Sequence, residues 1–224
     1  MLRLPKLLPL TLVIMMFAAS VLVHGMVPAD TPIPIHFDAA GQANGFATGR
    51  LALYILPLIT VAVFGLVRLL PMIDPRGDNI RRSGKALDTV TIATVVLLAA
   101  MHAMTLYAVT GHEMALSRIM PFATGVLLIV LGNVMGKIRH NYTFGLKTPW
   151  TLADPHIWDK THRLGGWSMV IGGGLLIVGA GFEALNPVVV MIITIGSVLI
   201  PAAYSYWLWR GRAGTNGEGH GTPY

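Results

Sequence analysis

The chain has 224 residues, of which 54% are hydrophobic and only 12% charged, and it contains no cysteine. Soluble domains carry ~25% charged residues, so a soluble globular protein is excluded. Disulfides, thiol catalysis and cysteine-ligated metals are excluded with it. A net charge of +6 raises nucleic-acid binding, yet basic residues in a membrane protein mark its cytoplasmic loops. Their positions therefore decide between the two readings.

A helix needs about 20 predominantly apolar residues to cross the hydrocarbon core. Six stretches meet or nearly meet this, in order Leu7–Val27, Leu51–Leu70, Val90–Val109, Ile119–Met135, Leu164–Phe182 and Val188–Trp209. The alternating segments of a β-barrel are absent, and helices satisfy their own backbone groups in lipid. The expected fold is all-α, a polytopic bundle of six transmembrane helices. The first stretch follows Arg3 and Lys6 and precedes Val27-Pro28-Ala29. It is read as an anchor rather than a cleaved signal peptide, because its apolar run is long and proline suits a cleavage site poorly.

Of the sixteen Lys and Arg residues, all but Arg50 and Arg118 fall at the N-terminus, in the second and fourth connections with their flanks, or in the tail. The positive-inside rule then puts both termini in the cytoplasm. The basic character is explained without direct nucleic-acid binding. The expected divisions are a two-helix hairpin over 1–70 with a structured extracytoplasmic loop at 28–50, and a basic loop with the third helix over 71–110. A second unit follows over 111–210 with a motif-bearing cytoplasmic loop at 132–166. The Gly-rich tail, 211–224, is expected to be disordered.

The loop at 28–50 begins extended through Pro32 and Pro34, and Ile33, Ile35 and Phe37 alternate as in a short strand. Asn44-Gly45 is a turn signal. His36 and Asp38 have no third partner, so no metal site is expected. In the cytoplasmic loop, Asp154 suits an N-cap and Pro155 the first helical position. A short helix is expected from Pro155 to about Leu164, stopping at Gly165. It would carry Trp158, Thr161 and His162 on helical spacing and an ion pair between Asp159 and Arg163. Trp150, Trp158 and Trp167 suit the water–lipid boundary. An interfacial anchor and a binding segment both remain open. Within the membrane, Gly132 and Gly136 permit close packing beside Asn133, and the Gly172-Gly173-Gly174 run implies tight packing or a bend. His102 in the third span is read as bonded to a neighbouring helix rather than as a proton relay. Glu183 is expected to be solvated. Asp74-Pro75-Arg76-Gly77-Asp78 reads as a short anchoring loop.

The fourth connection resembles the signature of the SdpI family. The resemblance rests on Gly132, Asn133, Gly136, Lys137, Arg139, Asn141, Tyr142, Gly145, Lys147, Thr148, Pro149, Trp150, Thr151, Trp158, Thr161, His162, Arg163, Gly165 and Gly166. The family pattern favours Pro where His140 stands and Arg where Lys147 stands. The outer loop, with Pro34, His36, Phe37, Asp38, Gly41, Gln42 and Gly45, resembles an uncharacterised domain that often precedes that signature. The resemblance implies a multi-pass protein of the bacterial cytoplasmic (inner) membrane that gives immunity to a secreted toxic peptide. It also implies a cytoplasmic transcriptional regulator as a possible partner, besides the lipid bilayer. No nucleophile–base pair is visible, so no enzyme, catalytic residue or cofactor is expected. A small transporter or channel is the alternative, and sparse intramembrane polarity argues against it.

Reporter fusions test the orientation. Those after Asn44 and His112 should read extracytoplasmic, and those after Gly77, Asp154 and Gly214 cytoplasmic. A cytoplasmic signal at Asn44 would reverse the assignment of both motifs.

Overall fold

The computed structural model describes residues 4–38, 42–112, 114–182 and 185–217. The elements are α1 (Leu4–His24), β1 (Pro32–Phe37), β2 (Ala43–Thr48), a 3-10 turn (Arg50–Tyr54), α2 (Ile55–Ile73), α3 (Gly77–Arg82), α4 (Gly84–Val109), α5 (Leu116–Met135), α6 (Pro149–Ala153), α7 (Pro155–Gly181) and α8 (Pro187–Gly217). Six of these, α1, α2, α4, α5, α7 and α8, are long and apolar enough to span a membrane. The expected six-helix bundle is the observed fold.

Helices α1 and α2 pack on α4, while α5 and α8 pack on α7, and α4 meets α5 between the two groups. Glycines set the α5–α7 contact. A Cβ on Gly125 would lie 2.6 Å from the Gly173 carbonyl oxygen, and one on Gly132 would lie 2.7 Å from that of Gly166. The reverse contacts, Gly173 to Gly125 and Gly166 to Gly132, are equally tight at 2.5 and 2.8 Å. Each helix repeats its glycine after seven residues, so two antiparallel backbones touch along one seam. A second row on α7, Gly165, Gly172 and Gly179, faces Pro201, Ser197 and Leu185. Helix α7 is thus clamped on two sides.

This clamp explains a departure from the sequence reading. No short helix ends at Gly165: α7 runs unbroken from Pro155 through Gly165-Gly166 into the span. Close packing there offsets the helix cost of glycine, about 1 kcal/mol per residue.

At one end, β1 and β2 form an antiparallel hairpin. Ile33 is fully buried in a cluster with Val27, Ala52, Leu53 and Leu106, and the Arg50 Nε donates to the Val27 carbonyl at 2.8 Å. The strand expected around Ile33–Phe37 is present, but Asn44-Gly45 is not the turn. These residues lie inside β2 opposite His36, where the register shifts. A Cβ on Gly45 would sit 2.9 Å from the His36 Cβ, so the glycine serves a close strand approach. Asp38 and Gln42 close the hairpin instead, their N–H groups donating to the Gln42 carbonyl and the Asp38 carboxylate, both at 2.8 Å.

The expected disorder of the tail meets a helix: α8 continues to Gly217. Residues 218–224 lie outside the described residues, as do Gly41 and Glu183.

The glycine seam makes a paired prediction. Gly173→Ala drives a methyl into the Gly125 carbonyl and should destabilise the protein by about 1–3 kcal/mol. The neighbouring Gly174→Ala, with nothing within 4 Å of its Cβ, should be neutral or stabilising. Thermal unfolding in detergent compares them.

Candidate functional site

Opposite the hairpin, at the end bearing most of the basic side chains, the chain leaves α5 at Met135 and runs without a regular element until α6. Non-helical backbone in an apolar setting needs partners from the protein, and Asn141 supplies several. Fully buried, it donates through Nδ2 to the carbonyls of Arg139 and Phe144 at 2.8 and 2.9 Å. Its Oδ1 accepts from the N–H groups of Thr143 and Phe144 at 2.9 and 2.6 Å. The side chain uses both donors and its acceptor to hold a tight knot of chain.

The first two turns of α7 lock that knot. Asp154 caps the helix by accepting from the N–H groups of His156 and Ile157, as its position predicts. Trp158, fully buried, donates its indole N–H to the Ile138 carbonyl at 2.8 Å. One turn on, the His162 ring stacks on Trp158 with centroids 4.0 Å apart. His162 Nδ1 donates to the Trp158 carbonyl at 2.9 Å, and Nε2 accepts from the Leu146 N–H at 3.0 Å. An imidazole that donates through one nitrogen and accepts through the other is neutral. Gly145 lies against this pair with φ +122, where a Cβ would be 2.5 Å from His162 Nε2. Only glycine fits.

Thr148 and Thr151 form a reciprocal capping box at the start of α6, and Thr148 Oγ1 also meets Ser205 Oγ of α8 at 3.0 Å. Pro149 is the first residue of α6, and Trp150 after it packs on Tyr206 and Trp209 at 5.0 and 6.2 Å. The segment 136–154 is thus a folded plug across α7 and α8.

A third contact comes from the connection after α2. Asp74 Oδ2 accepts from the Tyr142 N–H and the Thr143 hydroxyl at 3.0 and 2.8 Å, and Oδ1 from the Arg76 N–H at 2.6 Å. Burial raises the pKa of this carboxyl. The hydrogen bonds from the Thr143 hydroxyl and the backbone of Arg76, Tyr142 and Thr143 outweigh that and hold it below the usual value. Arg76 Nη1 donates to His140 Nδ1 at 2.6 Å, its guanidinium lies 4.7 Å from the Tyr142 ring centre, and His140 Nε2 donates to the Leu152 carbonyl at 3.1 Å. Burial and then the Arg76 charge push the His140 pKa down. Asn79 Nδ2 donates to the His140 carbonyl at 2.7 Å, and Ser83 Oγ accepts from the Arg139 N–H at 2.9 Å.

Several expectations change here. Trp158 is no boundary residue, because its indole N–H is spent inside the protein. Of the three indoles, Trp167 at 66% exposure has the placement expected of a lipid-facing ring. Asp159 and Arg163 are both exposed and do not pair; Asp154, not Asp159, pairs with a distant arginine, Arg212. Gly132 packs against α7, but Asn133 points outward from α5. The plug gathers Asn141, Tyr142, Gly145, Thr148, Pro149, Trp150, Thr151, Trp158, Thr161 and His162. Lys137, Arg139, Lys147 and Arg163 fringe it as exposed side chains, Lys147 with its Nζ on the Thr143 carbonyl at 3.1 Å. The buried Thr161 hydroxyl has no partner among the described residues. At the hairpin end, His36 Nδ1 is 2.5 Å from Asn44 Oδ1, while Pro34 and Phe37 lie on β1 and Gly45 on β2. The sequence reading missed Asp74, Arg76, Asn79, Ser83, His140 and Ser205. A carboxylate at the very start of a loop rich in basic residues was the one signal pointing at Asp74.

His102, 2% exposed, places Nε2 3.2 Å from the Met16 carbonyl and 3.1 Å from Ser20 Oγ, both on α1. It is bonded to a neighbouring helix, as expected. Among the described residues, no group of three or more His, Cys, Asp or Glu is placed to hold a metal ion.

The fold and this plug define a multi-pass membrane protein whose irregular loop is built into one end of its helix bundle. The model of the SdpI/YfhL protein family matches residues 137–205, from the first turn of the plug to Ser205 beneath it. Over that segment the chain is similar to the SdpI family. It is 22% identical over 205 residues to the Immunity protein SdpI of Bacillus subtilis (strain 168), covering 90% of this chain and 95% of that protein. No solved structure matches.

The His140 contact predicts a pH dependence. Its native pKa is lowered, so protonation favours the unfolded chain. The native state should hold its full stability above pH ~6.5 and lose some as pH falls from there through the lowered native value. His140→Gln can still accept from Arg76 and should reduce that slope in detergent unfolding between pH 7 and 5, the remainder coming from the buried His162, which also folds neutral.

Proposed function

We propose that this protein is a non-enzymatic immunity protein of a bacterial inner membrane, with both termini in the cytoplasm. The hairpin end engages a secreted toxic peptide, and the basic fringe of the plug engages an acidic cytoplasmic partner such as a transcriptional regulator. The observation that carries this reading is the relationship to an immunity protein along nearly the full length of both chains. The distribution of charge supports the orientation: Arg50 lies beside the hairpin, whereas Lys137, Arg139, Lys147 and Arg163 ring the plug. A transporter would need polar groups lining a path. The buried hydroxyls of Thr60, Thr91 and Ser197 instead donate to carbonyls four residues back in their own helices.

The plug divides its residues into two groups with different expected effects. His162→Ala removes the stack and the acceptor for Leu146, so membrane level and protection should fall together. Arg139→Ala with Lys137→Ala touches only exposed side chains. Protection should survive, and recruitment of a cytoplasmic partner should fail. At the other end, replacing His36, Phe37 and Asp38 together should weaken protection at unchanged membrane level. The assay is survival of a peptide-sensitive bacterium carrying each variant, with membrane level and partner recruitment scored separately. Full protection by the correctly inserted hairpin triple variant would remove the hairpin from the reading.

A further inference from the structure

Beneath the hairpin, between α2, α4 and α5, lies a cavity of ≈ 260 Å³. Its walls are mainly apolar, with Phe37, Leu53, Ile59, Met101, Met104 and Met120 contributing. An apolar cavity of about 150 Å³ already accepts benzene, and thioether walls adapt readily to an aromatic guest.

Three polar side chains break this lining: His36, whose Nδ1 is already engaged with Asn44, and His102 and Thr105, adjacent on one face of α4. His102 and Thr105 are both more than nine-tenths buried, at 2% and 7% exposure. The Ser20 hydroxyl donates its single proton to the Leu53 carbonyl at 2.8 Å. Ser20 can therefore only accept from His102, and the Met16 carbonyl can only accept. The His102 proton is thus on Nε2, shared between these two acceptors at 3.1 and 3.2 Å. Nδ1 is left as a bare acceptor on a ring that lines the cavity. The Thr105 hydroxyl has no hydrogen-bond partner among the described residues. An acceptor and a hydroxyl together on a mainly apolar cavity wall can both be satisfied by one guest group, and so point to a ligand. A hydroxyl satisfies both at once, donating to Nδ1 while accepting from Thr105.

We propose that this cavity binds one phenol-sized apolar group carrying a single hydroxyl. The group is presented either by a free small molecule or by a tyrosine side chain of a peptide docking at the hairpin. The site needs only the cavity and the polar pair on α4, so it stands or falls separately from the immunity reading.

The test uses the full-length protein in lipid nanodiscs, titrated with p-cresol and 4-methylanisole and compared with empty nanodiscs by ligand-observed NMR. Methylation of the hydroxyl removes the donor, so p-cresol should bind saturably and about tenfold tighter. His102→Leu should bring the two ligands to equal affinity, and Thr105→Val should weaken p-cresol several-fold. Met104→Trp, which fills the cavity, should abolish both. A capped tripeptide with central tyrosine separates the sources. If peptides are the natural ligands, the tripeptide binds at least as tightly as p-cresol. If free phenols are, p-cresol binds and the tripeptide does not. The wild-type comparison alone decides even if a variant fails to fold. Equal affinities for p-cresol and 4-methylanisole, or no binding beyond the empty nanodisc, would overturn the proposal.

Discussion

Backbone that is not helical cannot sit against lipid with its N–H and C=O groups bare. That constraint governs the plug between α5 and α7. The chain there turns too irregularly to bond to itself, so side chains act as its partners. Asn141 closes the knot from within, Trp158 takes the Ile138 carbonyl, and His162 takes the Leu146 N–H. Removing any of these leaves a buried polar group at a cost of about 1–3 kcal/mol. The plug and the start of α7 therefore fold as one object.

The rest of the bundle is referenced to the same helix. Continuing past His162, α7 presents one glycine row to α5 and another to α8. Sliding α7 along α5 would bring side chains onto the facing carbonyls, so the seam fixes where Trp158 and His162 arrive at the membrane end. Asp74 and Arg76 then tie the connection after α2 to Tyr142, Thr143 and His140. The first helix group thereby meets the second through part-buried hydrogen bonds as well as through the contact of α4 with α5. Any signal passing from hairpin to plug would have α4 as its direct element. Its hairpin-proximal part carries His102 and Thr105, and Ala86, near its other end, belongs to the cluster around Trp158.

The six spans were legible because a run of apolar residues about 20 long has few alternatives. The β1 alternation and the Asp154-Pro155 helix start were legible for similarly local reasons. The errors came where one residue type serves two physical ends. Gly165 reads as a helix stop, but a glycine that ends a helix and one that admits a neighbouring backbone look alike in sequence. Asn44-Gly45 reads as a turn, though the glycine is there for the close approach of His36. Trp158 reads as a boundary residue because indoles favour interfaces, and nothing local reveals the Ile138 carbonyl that holds it inside. The Asp74, Arg76 and His140 cluster joins residues more than sixty positions apart, and no periodicity carries such a pairing.

The central claim is that the motif-bearing loop is a buried plug locked to α7, not a strip lying on the membrane surface. Indole N–H resonances of the five tryptophans in nanodiscs test it most directly, with a water-soluble paramagnetic reagent and a lipid-borne nitroxide applied in turn. Trp158, fully buried and bonded to Ile138, should keep its intensity under both. Trp207, at 69% exposure, should lose intensity under at least one. Attenuation of Trp158 to the level of Trp207 would contradict the plug and return the segment to the surface.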